Sequence, residues 1–393
     1  MGVHPRQSRG PSAMICVLAL LVAVGRPDLS AAVSAPLGQE PQRIDLINDM
    51  PAAGDLAAPA NGQTLYILDE ARGDVIAIDP FEPAHRWTAV AANGRADGGA
   101  DPVAIACIDT GTLALLCRAK ATWSLQAHRV QPGITADLRK PSQNVPFRIV
   151  AGTTAPAGAI PASADPMLTE VGLERACLTV SPSRDWLAVC GLPSPLPTVM
   201  RAPIAGARIG DVTPRDCPEL LPGVRLSAST ISKAEELVLF ARDPAIPTNS
   251  AVFVSFYLPP DPRRLLYLDT TLPRIRDAAF CRADGTLWVV GGEPDTGNGL
   301  ATAPEGLWRI DAILRNGRQS ARAVCVARLD GARAVTCLSE RAIIVTHGRE
   351  SRVVSRIDPT HTNADPKEPA AADIDTKPSA NQPQPQAPSR SKP

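Results

Sequence analysis

The sequence predicts an all-β chain folded as a six-bladed β-propeller and closed by its own N-terminal strand. Three observations point there. A strand–turn–strand unit recurs through the middle of the chain, helical periodicity is nearly absent, and one unpartnered strand precedes the first unit.

The clearest unit runs Asn61-Gly62-Gln63-Thr64-Leu65-Tyr66-Ile67-Leu68-Asp69, followed by Asp74-Val75-Ile76-Ala77-Ile78-Asp79. Its Asn-Gly pair supplies the positive φ angles of a tight hairpin turn. The same form returns over 105–117, 176–190, 226–240, 278–290 and 334–346. Aligning the small residue of each first strand gives Ala58, Cys107, Cys177, Ala228, Cys281 and Cys337, spaced by 49, 70, 51, 53 and 56 residues. A third strand ending in Ile-Asp recurs at 75–79, 307–311 and 353–358. The best helical stretch, 311–315, is about one turn long.

Units of this length with three or four strands suit propeller blades. The last unit has three strands, so its sheet lacks an outer member. The strand over 43–48 (RIDLIN) can pair onto it and hide both edges. The 70-residue gap leaves a seventh blade open, although its Pro-, Ala- and Gly-rich stretch 153–170 suits an excursion loop better.

The stretch 62–79, with LYILDEARGDVIAID at its centre, resembles the repeats of secreted bacterial propellers of the YVTN/NHL/SMP-30-like kind. The likeness is close for one blade and loose for the other five. It implies the fold and little function, because that superfamily holds lactonases, lyases, carbohydrate-binding modules and scaffolds. Asp185-Trp186 falls at a hairpin turn instead of ending a third strand, which does not fit a WD40 repeat.

Residues 1–35 read as a secretory signal. Arg6 and Arg9 form a basic start, 14–24 is an apolar stretch, and Ala31-Ala32-Val33-Ser34-Ala35 offers a cleavage site. Eleven apolar residues rise only about 16 Å as a helix, too short to cross a bilayer. Cys16 lies inside the apolar stretch, which argues against a lipoprotein anchor. The propeller then occupies 36–358. The segment 359–393 has eight prolines and no aromatic residue, so disorder is expected there. A secreted or periplasmic bacterial protein without a membrane span follows from this reading.

The chain of 393 residues balances 40 Lys+Arg against 40 Asp+Glu. The leader takes three arginines and one aspartate with it, leaving 37 basic and 39 acidic residues. No field draws such a chain to nucleic acid. The expected partner is a protein or a carbohydrate, met by a monomer.

Eight cysteines remain without the leader, an even number that predicts disulfides in an oxidising compartment. With Ser183 and Arg184 as turn residues, Cys177 faces Cys190 across a hairpin at a separation that suits a disulfide. Cys107 and Cys117 flank a similar turn. A two-residue turn at Thr110 and Gly111 would set Cys107 against Ala114, so a Cys107–Cys117 disulfide needs a bulge or a longer loop. For the others, Cys217–Cys281 and Cys325–Cys337 are reasonable pairings. No Cys-x-x-Cys or histidine cluster points to zinc.

Standard catalytic and phosphate-binding signatures are missing, and His85, His128, His347 and His361 form no convergent set. The channel is the place to look. Positions three to five before the aligned small residues hold Asp55, Glu174, Arg225, Arg276, Asp277 and Arg333. Asp55, Glu174 and Asp277 could converge on a hard cation such as Ca²⁺. Arg225, Arg276 and Arg333 could grip an anionic ligand. Mutual pairing of these charges is the third reading. Trp87, Trp123, Trp186, Trp288 and Trp308 are expected to pack between blades, with Trp288 and Trp308 meeting within one. The function expected is an exported binding or interaction module. The alternative is a metal-dependent hydrolase or lyase acting on a lactone or sugar acid at the channel mouth, and a purely structural role is the third.

Overall fold

The computed structural model describes residues 41–92, 100–119, 122–147, 176–192, 198–216, 225–242, 252–257, 264–267, 274–293, 303–315 and 318–362. The leader, the stretch 153–170, Glu174 and Cys217 lie outside the described residues. The described chain is an all-β propeller with no α-helix, and no helix in it is long and apolar enough to cross a membrane.

Its strands fall into six sheets, numbered here by their innermost strand. Sheet 1 starts at Ala53–Ala57, sheet 2 at Asp101–Cys107, sheet 3 at Cys177–Val180, sheet 4 at Arg225–Ile231, sheet 5 at Asp277–Phe280 and sheet 6 at Ala334–Ser339. Each runs outward through antiparallel neighbours, as the recurring hairpins require, except that sheet 1 ends on the short parallel strand Ala136–Asp137. In sheet 6 the outer position is taken by Pro41–Ile47, which pairs antiparallel with Val353–Thr362, Arg43 opposite Ile357 and Ile44 opposite Arg356. That last strand reaches four residues into the segment expected to be disordered. Residues 311–315 do not coil; they continue the strand Gly306–Arg315.

The second strands are apolar on both faces because each sheet is covered on both faces. Leu65–Asp69, Trp186–Cys190, Leu287–Gly291 and Ala342–His347 are buried throughout. Six apolar clusters fill the spaces between sheets. Tyr66, Leu68, Leu113 and Leu115 pack sheet 1 on sheet 2, and Leu116, Leu125, Leu178 and Leu187 pack sheet 2 on sheet 3. Leu65, Ile67, Ile344 and Val354 pack sheet 6 on sheet 1. Each such fully buried side chain stabilises the fold by about 1.5–3 kcal/mol.

The tryptophans follow this packing with one difference. Trp288 lies opposite Arg309 while Trp308 lies opposite Val289, so the two indoles leave sheet 5 by opposite faces. Trp308 joins the cluster shared with sheet 4, and Trp288 the cluster shared with sheet 6. One residue of register separates them, and alternation of side chains does the rest.

Candidate functional site

The inner strands surround a central channel of about 590 Å³. Small residues such as Ala57, Ala106, Ala176 and Ala278 form much of its wall, since neighbouring backbones crowd at the axis of a propeller.

Two of the expected metal ligands sit in the wall and do other work. Asp55 accepts hydrogen bonds from its neighbour Leu56 N (2.9 Å) and, across the sheet boundary, from Ile105 N (2.8 Å). Asp277 repeats the second bond from sheet 5 to sheet 6, accepting from Val335 N at 2.9 Å. A carboxylate at this position satisfies an inner-strand amide of the next sheet and joins the two sheets at the axis. Both carboxylates are buried. Glu174 lies outside the described residues, and among those described no three of His, Cys, Asp and Glu gather as metal ligands.

The expected arginines also bridge sheets. Arg276 donates to the Ala332 carbonyl (2.7 Å) and pairs with buried Glu305, whose other oxygen accepts from Gly331 N at 2.6 Å. Arg333 of sheet 6 pairs with Glu70 of sheet 1. That pair depends on Gly54, where a Cβ would run into the Glu70 side chain. Arg225 opens the inner strand of sheet 4, and its side chain lies outside the described residues. Mutual pairing therefore describes Arg276 and Arg333.

Replacing Asp277 with Ala is expected to lower stability by about 2 kcal/mol, because Val335 N–H stays buried without an acceptor. Chemical denaturation measures this. The Asp277→Ala loss should be the same with calcium and with a chelator, and a calcium-dependent difference would return Asp277 to a metal site.

The other end of the channel differs. There the first hairpin turns of sheets 3, 4 and 5 bring Arg184, Lys233 and Arg282 to the lining. Arg184 takes a left-handed φ of 62° inside its turn, donating its backbone N–H to Ser181 O at 2.9 Å. Glu235, at φ 64° in the next turn, fastens the two turns together. Its carboxylate accepts from Ser183 N (2.7 Å) and from the Trp186 indole (3.0 Å). Burial and the nearby Arg184 charge lower the pKa of the Arg282 guanidinium, while Cys107 and Glu235 act the other way. Among the described residues none of the three cations makes an ion pair.

The alignment that gave Asp55 and Asp277 also holds these cations, downstream instead of upstream. Arg282 follows Cys281 directly, and Lys233 lies five residues past Ala228.

Four of the aligned cysteine positions line the channel as well: Cys107, Cys177, Cys281 and Cys337. Cys177 lies opposite Cys190, the register expected from the turn at Ser183 and Arg184. Cys107 and Cys117 are not a pair. Cys107 lies opposite Leu113 and Cys117 opposite Pro102, which puts the sulfurs too far apart for a disulfide. A bulge does occur, between Pro102 and Ala104, but on the side that carries Cys117 farther away. Cys325 and Cys337 are also apart, since Cys325 packs on the sheet 4 face of sheet 5 and Cys337 on its sheet 6 face.

The fold and site define a β-propeller with a charged axial channel. Neither a protein-family model nor a curated sequence matches the chain. Solved structures do. A gluconolactonase from Xanthomonas campestris is 12% identical, with a TM-score of 0.46 over 85% of this chain and 98% of that one. A luciferin-regenerating enzyme is 12% identical, with a TM-score of 0.48 over 81% and 95%. Hydrazine synthase from Kuenenia stuttgartiensis is 10% identical, with a TM-score of 0.48 over 78% and 96%. At this distance the likenesses carry no argument about activity.

Proposed function

We propose that the chain is an exported binding module, a six-bladed propeller closed by its N-terminal strand, which takes a small organic anion at the channel mouth. The observation that supports this reading is the set of Arg184, Lys233 and Arg282, delivered by three successive turns and left without carboxylate partners among the described residues. Beyond burial, Arg184 lies near enough to Arg282 to lower its pKa against the opposing Glu235, and a bound anion relieves that repulsion. Hydroxyls of Thr230 and Thr336 on the wall below offer donors to the ligand's polar body. The metal-dependent hydrolase reading has less to stand on, because Asp55 and Asp277 are committed to backbone amides.

Titration calorimetry with citrate, succinate and phosphate tests the proposal. At least one anion should bind, more weakly at high salt. Arg282→Gln should weaken binding about 10- to 100-fold, the worth of a charge-assisted pair. Binding that ignores both salt and Arg282, or none by any anion, would sink the reading.

A further inference from the structure

Two of the channel cysteines stand in a relation that the sequence does not show. The bond from Val335 N to Asp277 sets the inner strands of sheets 5 and 6 side by side. Cys281 comes four residues after Asp277 and Cys337 two after Val335, and both reach the channel wall. They share one apolar cluster with Trp288, Val290 and Val335. The Cys337 thiol donates to the Ser339 carbonyl at 3.3 Å, and Cys281 lies near enough to help burial raise the Cys337 pKa. Cys281 is fully buried, and Cys337 half-buried beside it.

We propose that Cys281 and Cys337 form a disulfide that ties sheet 5 to sheet 6 at the axis. The alternatives expected from sequence fit less well: Cys325 faces the other side of sheet 5, and Cys217 lies outside the described residues. In the reaction the two thiols lose two protons and two electrons to a disulfide oxidant such as oxidised glutathione. One S–S bond forms in the protein as the oxidant's S–S bond breaks into two thiols. Burial pushes the Cys337 thiol pKa upward, so the attacking thiolate is scarce once the propeller has packed. Oxidation should therefore be faster during folding than afterwards, and the finished bond should be shielded from reductant.

The experiment refolds the full chain in a glutathione redox buffer, alkylates remaining thiols and digests with trypsin without reduction. Cleavage after Arg276, Arg282, Arg333 and Arg341 should release residues 277–282 joined to 334–341, a mass that disappears on reduction. Cys281→Ser and Cys337→Ser should each lower the melting temperature by about 5–10 °C, and the double variant no further. In dithiothreitol all four proteins should melt within a degree or two of one another. Recovery of the two peptides separately, each alkylated, would overturn the proposal. So would either cysteine joined to Cys217 or Cys325, or additive losses that persist in reductant. None of these outcomes depends on whether the channel binds an anion.

Discussion

Between pH 6.5 and pH 4 the fold is expected to lose about 3 kcal/mol at each of two buried histidines. His128 and His347 are both held near pKa 4 against an ordinary 6.5, in each case chiefly by burial. Arg43 pushes His347 further down and Asp45 opposes it, while Asp137 opposes the burial of His128. The sign follows from where the protons bind. Below pH 6.5 the unfolded chain takes up a proton at each histidine, and the folded chain does not until about pH 4. Stability is therefore complete above pH 6.5 and lost as pH falls toward 4, at up to about 2.7 kcal/mol per pH unit when both sites contribute. The surroundings explain why neither ring accepts a proton. His128 Nε2 faces the Gln126 carboxamide oxygen at 3.1 Å, and its Nδ1 has no partner. His347 Nε2 faces Ser355 Oγ at 2.7 Å. Urea denaturation of the parent protein and of His128→Asn at pH 7.5, 6, 5 and 4.5 checks this. The variant should be less stable at pH 7.5 but show about half the parent's pH slope. An unchanged slope would show that His128 is not one of the titrating groups.

What the sequence shows and hides has a physical division here. Hairpins are local, so alternation and turn residues expose them, and Cys177 facing Cys190 follows from two turn residues alone. The Cys107 hairpin fails by one residue because Asp109 changes the turn. Its carboxylate accepts from Gly111 N at 2.7 Å, and the register shifts to put Cys107 opposite Leu113. The expected turn already set Cys107 against Ala114, and the slip carries it one residue farther from Cys117. Contacts between sheets are hidden for another reason. Arg276 finds Glu305 across 29 residues and Arg333 finds Glu70 across 263, so each looks in sequence like an unpaired charge near the axis. The contacts of the candidate Ca²⁺ carboxylates Asp55 and Asp277 with the next sheet's amides are hidden for the same reason. A buried Asp that satisfies the next sheet's backbone occupies the position where a ligand to an axial ion would be sought. The cations of the mouth are local in sequence, since Lys233 and Arg282 closely follow the aligned residues Ala228 and Cys281.

Removing residues 41–47 is expected to lower stability by about 5 kcal/mol or more and the melting temperature by about 10 °C or more. The strand Pro41–Ile47 buries Leu46 and Ile47 against the cluster that joins sheets 6 and 1, so two apolar side chains return to water when it is lost. Its Asp45 accepts from Ser355 Oγ at 2.5 Å, and the same hydroxyl faces His347. Truncation leaves that buried pair without its carboxylate. It also bares the edge of Val353–Thr362, whose unpaired amides and carbonyls can then recruit a second chain. The truncated protein should self-associate on a sizing column, and a synthetic peptide of residues 41–50 should restore part of the lost stability by adding back as a strand. A truncated protein that melts with the parent and stays monomeric would show that the strand is a tolerated extension.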